Sequence, residues 1–204
     1  FEEFPRRLGW VGFWFMILGV VLVTWMVLAG EASVLYTFYA PLKAHPVFYI
    51  GLVIFVVGTW IASFAMFRMY ADYKREHPGV HPPLQAYMSI MTALLWVVAT
   101  LGVAATILFQ LLPLSLGWTD KVGIELSRTL FWYFGHPLVY FWLLPAYIVW
   151  YTVIPKIVGG KIFSDALARM SFLLFLLFSF PVGFHHQLLE PGISAFWKYV
   201  QVVL

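Results

Sequence analysis

Long unbroken apolar runs, separated by short polar or proline-rich breaks, organise this chain. Five runs approach or exceed the roughly 20 residues that a helix needs to cross a bilayer. They cover about 8–29, closed by Gly30-Glu31; about 46–67, stopped by Arg68, Asp72, Lys74, Arg75 and Glu76; and about 84–112, ending at Pro113. The fourth covers about 128–154, ended by Pro155 and Gly159-Gly160, and the fifth about 166–189, stopped by Glu190-Pro191-Gly192. Between the second and third runs stand Pro78, Gly79, Pro82 and Pro83, which no helix interior accommodates. A further apolar helix opens near 195 and continues to 204. The predicted fold class is all-α: a polytopic transmembrane helical bundle with five complete spans plus the start of a sixth, in a single membrane domain over 1–204. The chain begins Phe1-Glu2-Glu3, followed by Arg6 and Arg7, which is neither an initiator methionine nor a signal peptide. A piece of a longer polytopic protein is expected.

Composition narrows the class further. With 63% hydrophobic and 10% charged residues, the chain cannot hide its apolar surface inside one globular core, which excludes a soluble domain. The lipid bilayer is its expected surrounding. It has no Cys, so any metal must be held by imidazole, carboxylate or phenol. The net charge of +3 is scattered, with no basic run for nucleic acid. Five spans place alternate loops on opposite sides. One side collects Arg6, Arg7, Arg68, Lys74, Arg75, Lys156, Lys161 and Arg169; the other holds Lys43, Lys121, Arg128 and Lys198. The excess of cations on the first side puts the N-terminus in the cytoplasm.

Polar chemistry inside the spans concentrates in two places, Gly135-His136-Pro137-Leu138-Val139-Tyr140 and His185-His186. The fourth span enters from outside and the fifth returns there, so all three imidazoles come to similar depth near the outer face. Ionisable groups in a membrane are costly and face a bundle interior or cavity. A lone histidine could simply hydrogen-bond a backbone; three at one depth point to a metal site for copper or zinc. Tyr140, Tyr147 and Tyr151 lie within roughly 60° of His136 on the same helix, in a stripe about 22 Å long. Tyr140 is deep and one turn from His136, where it could donate a proton or an electron. Tyr147 and Tyr151 could relay protons from the cytoplasm, although core packing, and for Tyr151 interfacial anchoring, accounts for them equally. Pro137 and Pro145 permit kinks that open space for a cofactor. His45, His77 and His81 sit in loops and carry no assigned role. Glu31, Asp165 and Glu190 lie at helix ends, with Glu190 a candidate for proton exit. The abundant Trp and Phe read as lipid-facing surface.

Gly135-His136-Pro137-Leu138-Val139-Tyr140, followed by Phe141-Trp142-Leu143-Leu144-Pro145-Ala146-Tyr147, resembles the sixth helix of haem-copper oxidase subunit I. Pro181-Val182-Gly183-Phe184-His185-His186-Gln187 resembles its seventh, and the whole chain is similar to the run from the third helix to the start of the eighth. The resemblance implies that His136, His185 and His186 are ligands of the active-site copper, copper B. It further implies that Tyr140 is covalently joined to His136. Leu138 stands where A-type oxidases carry Glu, which resembles the B-type (ba-type) branch and its single proton pathway, here Tyr140, Tyr147 and Tyr151. The family's low-spin and high-spin haems take axial histidines from its second and tenth helices, which this stretch does not match. The implied function is the central part of the catalytic subunit of a terminal respiratory oxidase. Such an enzyme reduces dioxygen to water with electrons from cytochrome c and couples this to proton translocation. The implied partners are cytochrome c, dioxygen and a subunit II whose copper site receives the electrons. The implied location is the inner (plasma) membrane of a prokaryote. Alternatives are a quinol oxidase or a nitric-oxide reductase of the same superfamily, the latter disfavoured by Tyr140. From a different class, the alternative is a non-redox transporter with a structural histidine cluster.

Overall fold

The computed structural model describes residues 3–203, so Leu204, the last position of the expected 195–204 helix, lies outside the described residues, as do Phe1 and Glu2. Helix α1 covers Glu3–Leu28 and ends before Gly30, whose φ of 74° is a left-handed turn that glycine adopts without a Cβ clash. Helix α2 (Pro46–Glu76) starts at His45, whose Nδ1 accepts from the Val47 N–H at 3.2 Å. Pro46 follows in the first turn, where a missing N–H leaves no helix bond unmade. The helix continues from the expected end at 67 to Glu76. Asp72 holds these extra turns together, pairing with Arg68 at 2.7 Å and Arg75 at 3.1 Å along one face.

Helix α3 (Leu84–Thr106) passes through a π turn, Ile107–Leu111, into the short α4 (Leu112–Ser115), so that 84–115 forms one rod. The expected stop at Pro113 does not occur, because Pro113 falls in the first turn of α4, directly after the π turn has shifted the hydrogen-bond register. Helix α5 (Ile124–Ile157) contains Pro137, Pro145 and Pro155 and passes through all three. Membrane bundles tolerate this through local re-satisfaction of the freed carbonyls. Helix α6 (Asp165–Val182) is capped by Ser164, which accepts from the Leu167 N–H at 3.2 Å. The expected α-helix to 189 instead tightens after Pro181 into a 3-10 turn, Gly183–Gln187, and α7 (Ala195–Val203) follows. Five of these stretches are long and apolar enough to cross a membrane, and no strand occurs among the described residues.

Glycine sets how closely α1 and α2 meet. A Cβ on Gly12 would stand 2.7 Å from the Gly58 carbonyl, and one on Gly19 would stand 2.6 Å from that of Gly51. Such small-residue contacts let antiparallel helix backbones touch where lipid supplies no hydrophobic drive. Helix α3 is the central rod, with Met88, Leu95, Ala99 and Thr100 fully buried. A reciprocal pair of indole bonds joins it to α2: Trp60 donates to Thr100 at 2.7 Å and Trp96 donates to Thr59 at 2.8 Å. Two apolar clusters result. One gathers Met26, Phe38, Tyr49, Ile107, Leu111 and Phe131 near the start of α5; the other packs Met88, Leu95, Leu144 and Phe172 against Tyr140, Tyr147 and Tyr151.

Candidate metal centre

His136 sits about three turns into α5, whereas His185 and His186 stand on the 3-10 turn after α6. Three ties bring that turn against α5. Gly183 touches it because a Cβ there would lie 2.8 Å from the Trp132 carbonyl oxygen. Gln187, 1% exposed, donates from Nε2 to Thr129 Oγ1 at 3.1 Å. Arg128 Nη1 donates to Glu190 Oε1 at 2.5 Å. Positions 132, 129 and 128 thus meet 183, 187 and 190 in register.

The turn brings the three imidazoles together. Their ring centroids are 4.6 Å (136 to 185), 5.5 Å (136 to 186) and 4.1 Å (185 to 186) apart, and one nitrogen from each lies within 4.8 Å of the others. His136 Nδ1 and His186 Nε2 are 3.4 Å apart. Two nitrogens held at about 2.0–2.1 Å by one ion, at angles of 90–120°, are roughly 2.8–3.6 Å apart. His185 donates its Nδ1–H to the Val182 carbonyl at 2.6 Å, which fixes the tautomer and leaves Nε2 with a free lone pair. His136 Nε2 is buried without a hydrogen-bond partner. The donor set contains neither carboxylate nor thiolate and suits a metal that favours imidazole.

Tyr140 stands edge-on to His136 with ring centroids 4.6 Å apart. Tyr147 and Tyr151 continue the face towards the other end of α5, their rings 6.4 Å apart, with Phe175 against Tyr147 and Phe172 against Tyr151. Among the described residues no hydrogen bond links the three phenols. A cavity of about 310 Å³ beside Tyr140 is lined by Ser171, Phe175, Phe178 and Ser179 of α6. A larger groove of about 760 Å³, lined by Trp96, Trp142, Pro145 and Val149 among others, lies on the opposite face of α5 and is almost wholly apolar.

Sequence reasoning missed Trp132. Its indole lies 3.7 Å from the His186 ring at an interplanar angle of 6°. The available signal was its place four residues before His136, on the same helix face. Trp132 and Tyr39, the latter in the segment between α1 and α2, both pack edge-on against Phe131, which brings the indole N–H near the Tyr39 phenol. Burial pushes the Tyr39 phenol above its ordinary pKa, opposed by the Trp132 N–H and the Arg128 charge, so the O–H stays protonated. Arg128 lies over the Tyr39 ring at 4.9 Å while pairing with Glu190.

Residues 3–204 match the family model described as cytochrome C and quinol oxidase polypeptide I. The chain belongs to this family. Among oxidase polypeptides, it is 47% identical over 197 residues to cytochrome c oxidase subunit 1 of Thermus thermophilus, covering 97% of this chain and 35% of that protein. It is 29% identical to the heme-copper oxidase subunit I+III of Aeropyrum pernix, over 90% of this chain and 24% of that protein. A solved heme-copper terminal oxidase dimer superposes with a TM-score of 0.93 at 46% identity, over 97% of this chain and 35% of that one. The chain therefore covers about a third of the oxidase polypeptides it matches. Its helical bundle and membrane character are those of the family.

Proposed function

We propose that this chain is the copper-binding middle of the catalytic subunit of a terminal respiratory oxidase of the B-type branch. The whole protein would pass electrons from cytochrome c, by way of a copper-bearing subunit II, to dioxygen. The observation that carries the reading is the convergence of three imidazoles, with no other ligand type, one turn from a tyrosine. Copper B would be held by His136, His185 and His186, with Nδ1 of the first and Nε2 of the others as donors. When bound, the copper supplies one-electron chemistry beside a high-spin haem, whose axial histidine, like those of the low-spin haem, lies outside these residues.

The remaining roles belong to side chains of this chain. His136 Nε2, buried and unpartnered, is the nitrogen available for a covalent bond to the Tyr140 ring. That bond replaces one ring C–H and one N–H, and the two electrons and two protons released reduce dioxygen. Tyr140 O–H then supplies a proton and an electron for breaking the O–O bond. Tyr147 and Tyr151 extend the proton path. Ring separations of this size require water between them, and the cavity at Tyr140 offers room for it beside the Ser171 and Ser179 hydroxyls. Following the cation bias, the Tyr151 end faces the cytoplasm of a prokaryotic cell and the histidine end faces outwards. The 47% identical relative is a cytochrome c oxidase, which favours cytochrome c over quinol as the donor.

The tryptic peptide Thr129–Lys156 from the native membrane complex tests this reading, since it contains both His136 and Tyr140. A mass lower by two hydrogens, localised to those two residues, is the expected result. An unmodified peptide from complex with full copper and haem content would remove the oxidase chemistry assigned to Tyr140.

A further inference from the structure

We propose that Tyr39, Arg128 and Glu190 are positioning residues for His186, acting through the Trp132 indole. The inference rests on the reading of His136, His185 and His186 as ligands of one copper. Two of these imidazoles are held by their own elements: His136 rises from the interior of α5, and His185 is tethered through Nδ1 to the Val182 carbonyl. His186 is the exposed member of the trio. Among the described residues its hydrogen-bond neighbour is His136 Nδ1 at 3.4 Å, an atom that the ligand reading gives to copper. The plane of its ring is therefore set by the parallel stack on Trp132.

A stacked indole orients a partner only if it is itself held. Trp132 packs edge-on against Phe131 at 5.2 Å, and Tyr39 packs edge-on against the same ring at 5.6 Å with its phenol near the indole N–H. Tyr39 lies under the Arg128 guanidinium, and Arg128 is paired with Glu190. Glu190 follows His186 by four residues, on the segment that carries the imidazole. The contacts close into a ring: His186, Trp132, Phe131, Tyr39, Arg128, Glu190 and the backbone back to His186. In a closed ring no member turns without disturbing its neighbours, so the ring plane is fixed before metal arrives. Partners of this kind, one step removed from a metal, fix ligand orientation and raise affinity. The arrangement also ties the 29–45 segment to the site, since Tyr39 and Phe38 both pack edge-on against Phe131.

The assembled oxidase complex provides the test. Carbon monoxide photolysed onto copper has an infrared stretch that reads the copper's ligand geometry without turnover. Tyr39→Phe keeps the ring beneath Arg128 and removes the hydroxyl near the indole N–H; Glu190→Gln removes the charge of the closing pair. Each is expected to shift or split the band and to lower copper retention against bathocuproine disulfonate by about 10–100-fold. Tyr36→Phe, at a neighbouring tyrosine that is 83% exposed, is expected to leave both readouts unchanged. Band and retention identical to wild type in both Tyr39→Phe and Glu190→Gln would overturn the inference while leaving the copper site standing. An equal shift in Tyr36→Phe would overturn it too, by showing a general loosening of the segment. Absence of the band in wild-type complex would remove the copper reading and the inference with it. Should Tyr39→Phe fail to assemble, Glu190→Gln decides by the same criterion.

Discussion

Tyr140 fills space edge-on to His136, and under the proposed function it has a second job, carrying a reactive O–H. Tyr140→Phe removes the second and keeps the first. Assembly and helix content are expected to be unchanged, the peptide Thr129–Lys156 to show its unmodified mass, and oxygen consumption to fall by about 10²–10⁴-fold, the usual worth of a positioned proton donor. Oxygen consumption within a few-fold of wild type would sink the role given to the phenol. Thr129→Val removes the acceptor of the buried Gln187 amide, whose Oε1 already lacks a partner. A loss of about 1–3 kcal/mol in thermal stability of the complex is expected. At this scale the histidines and Tyr140 were legible because polar groups inside an apolar run need a reason. Trp132, Tyr39 and Arg128 were not. Tryptophan and tyrosine are what a membrane interface ordinarily contains, and a stack between residues 54 positions apart, 132 and 186, has no periodic trace in the sequence.

The elements carry the site through close backbone approach rather than through extended apolar contact. Gly183 lets the 3-10 turn lie on the Trp132 carbonyl, and a Cβ at 2.8 Å from that oxygen forces something to shift. Gly183→Val is expected to push His185 and His186 away from His136 and to cut bound copper sharply while the far-ultraviolet circular dichroism stays helical. Full copper occupancy in that variant would show that the turn is not what gathers the ligands. The same reasoning applies to α1 and α2, where Gly19→Leu would overfill a contact made with backbone alone. It is expected to destabilise the helix pair by about 1–3 kcal/mol, read from thermal unfolding in detergent. The existence of the spans was plain from apolar length, because bilayer thickness sets it. Their ends were less plain. Helix α2 continues to Glu76 on ion pairs that hydropathy scores as a break, and the end of α6 tightens where the sequence reading had a regular helix.

For the molecule as a whole, burial within the bundle and orientation in the membrane are separate questions. Burial is answered by α3: Leu95 is fully enclosed, whereas Trp14 of α1 is 62% exposed on a surface suited to lipid. Leu95→Ala therefore leaves a cavity between helices and Trp14→Ala does not. Orientation follows instead from charge, and this chain offers a clean way to measure it. These 204 residues contain no cysteine, so within them a single introduced thiol is the one reactive site, and labelling is read against the same complex without it. Lys74 lies in the last turn of α2, Lys161 between α5 and α6, and Lys121 between α4 and α5, all three exposed. Two spans separate Lys74 from Lys161, which places them on one side of the membrane, and Lys121 falls on the other. With the cation-rich side in the cytoplasm, a membrane-impermeant maleimide added to intact cells should label Lys121→Cys, and should label Lys74→Cys and Lys161→Cys only after lysis. The reverse pattern would invert the orientation and place the histidines near the cytoplasm, so the tyrosine stripe could no longer carry protons inwards from that side. Labelling of all three in intact cells would contradict the five-span path itself, because an odd number of crossings between Lys74 and Lys121 is what separates them.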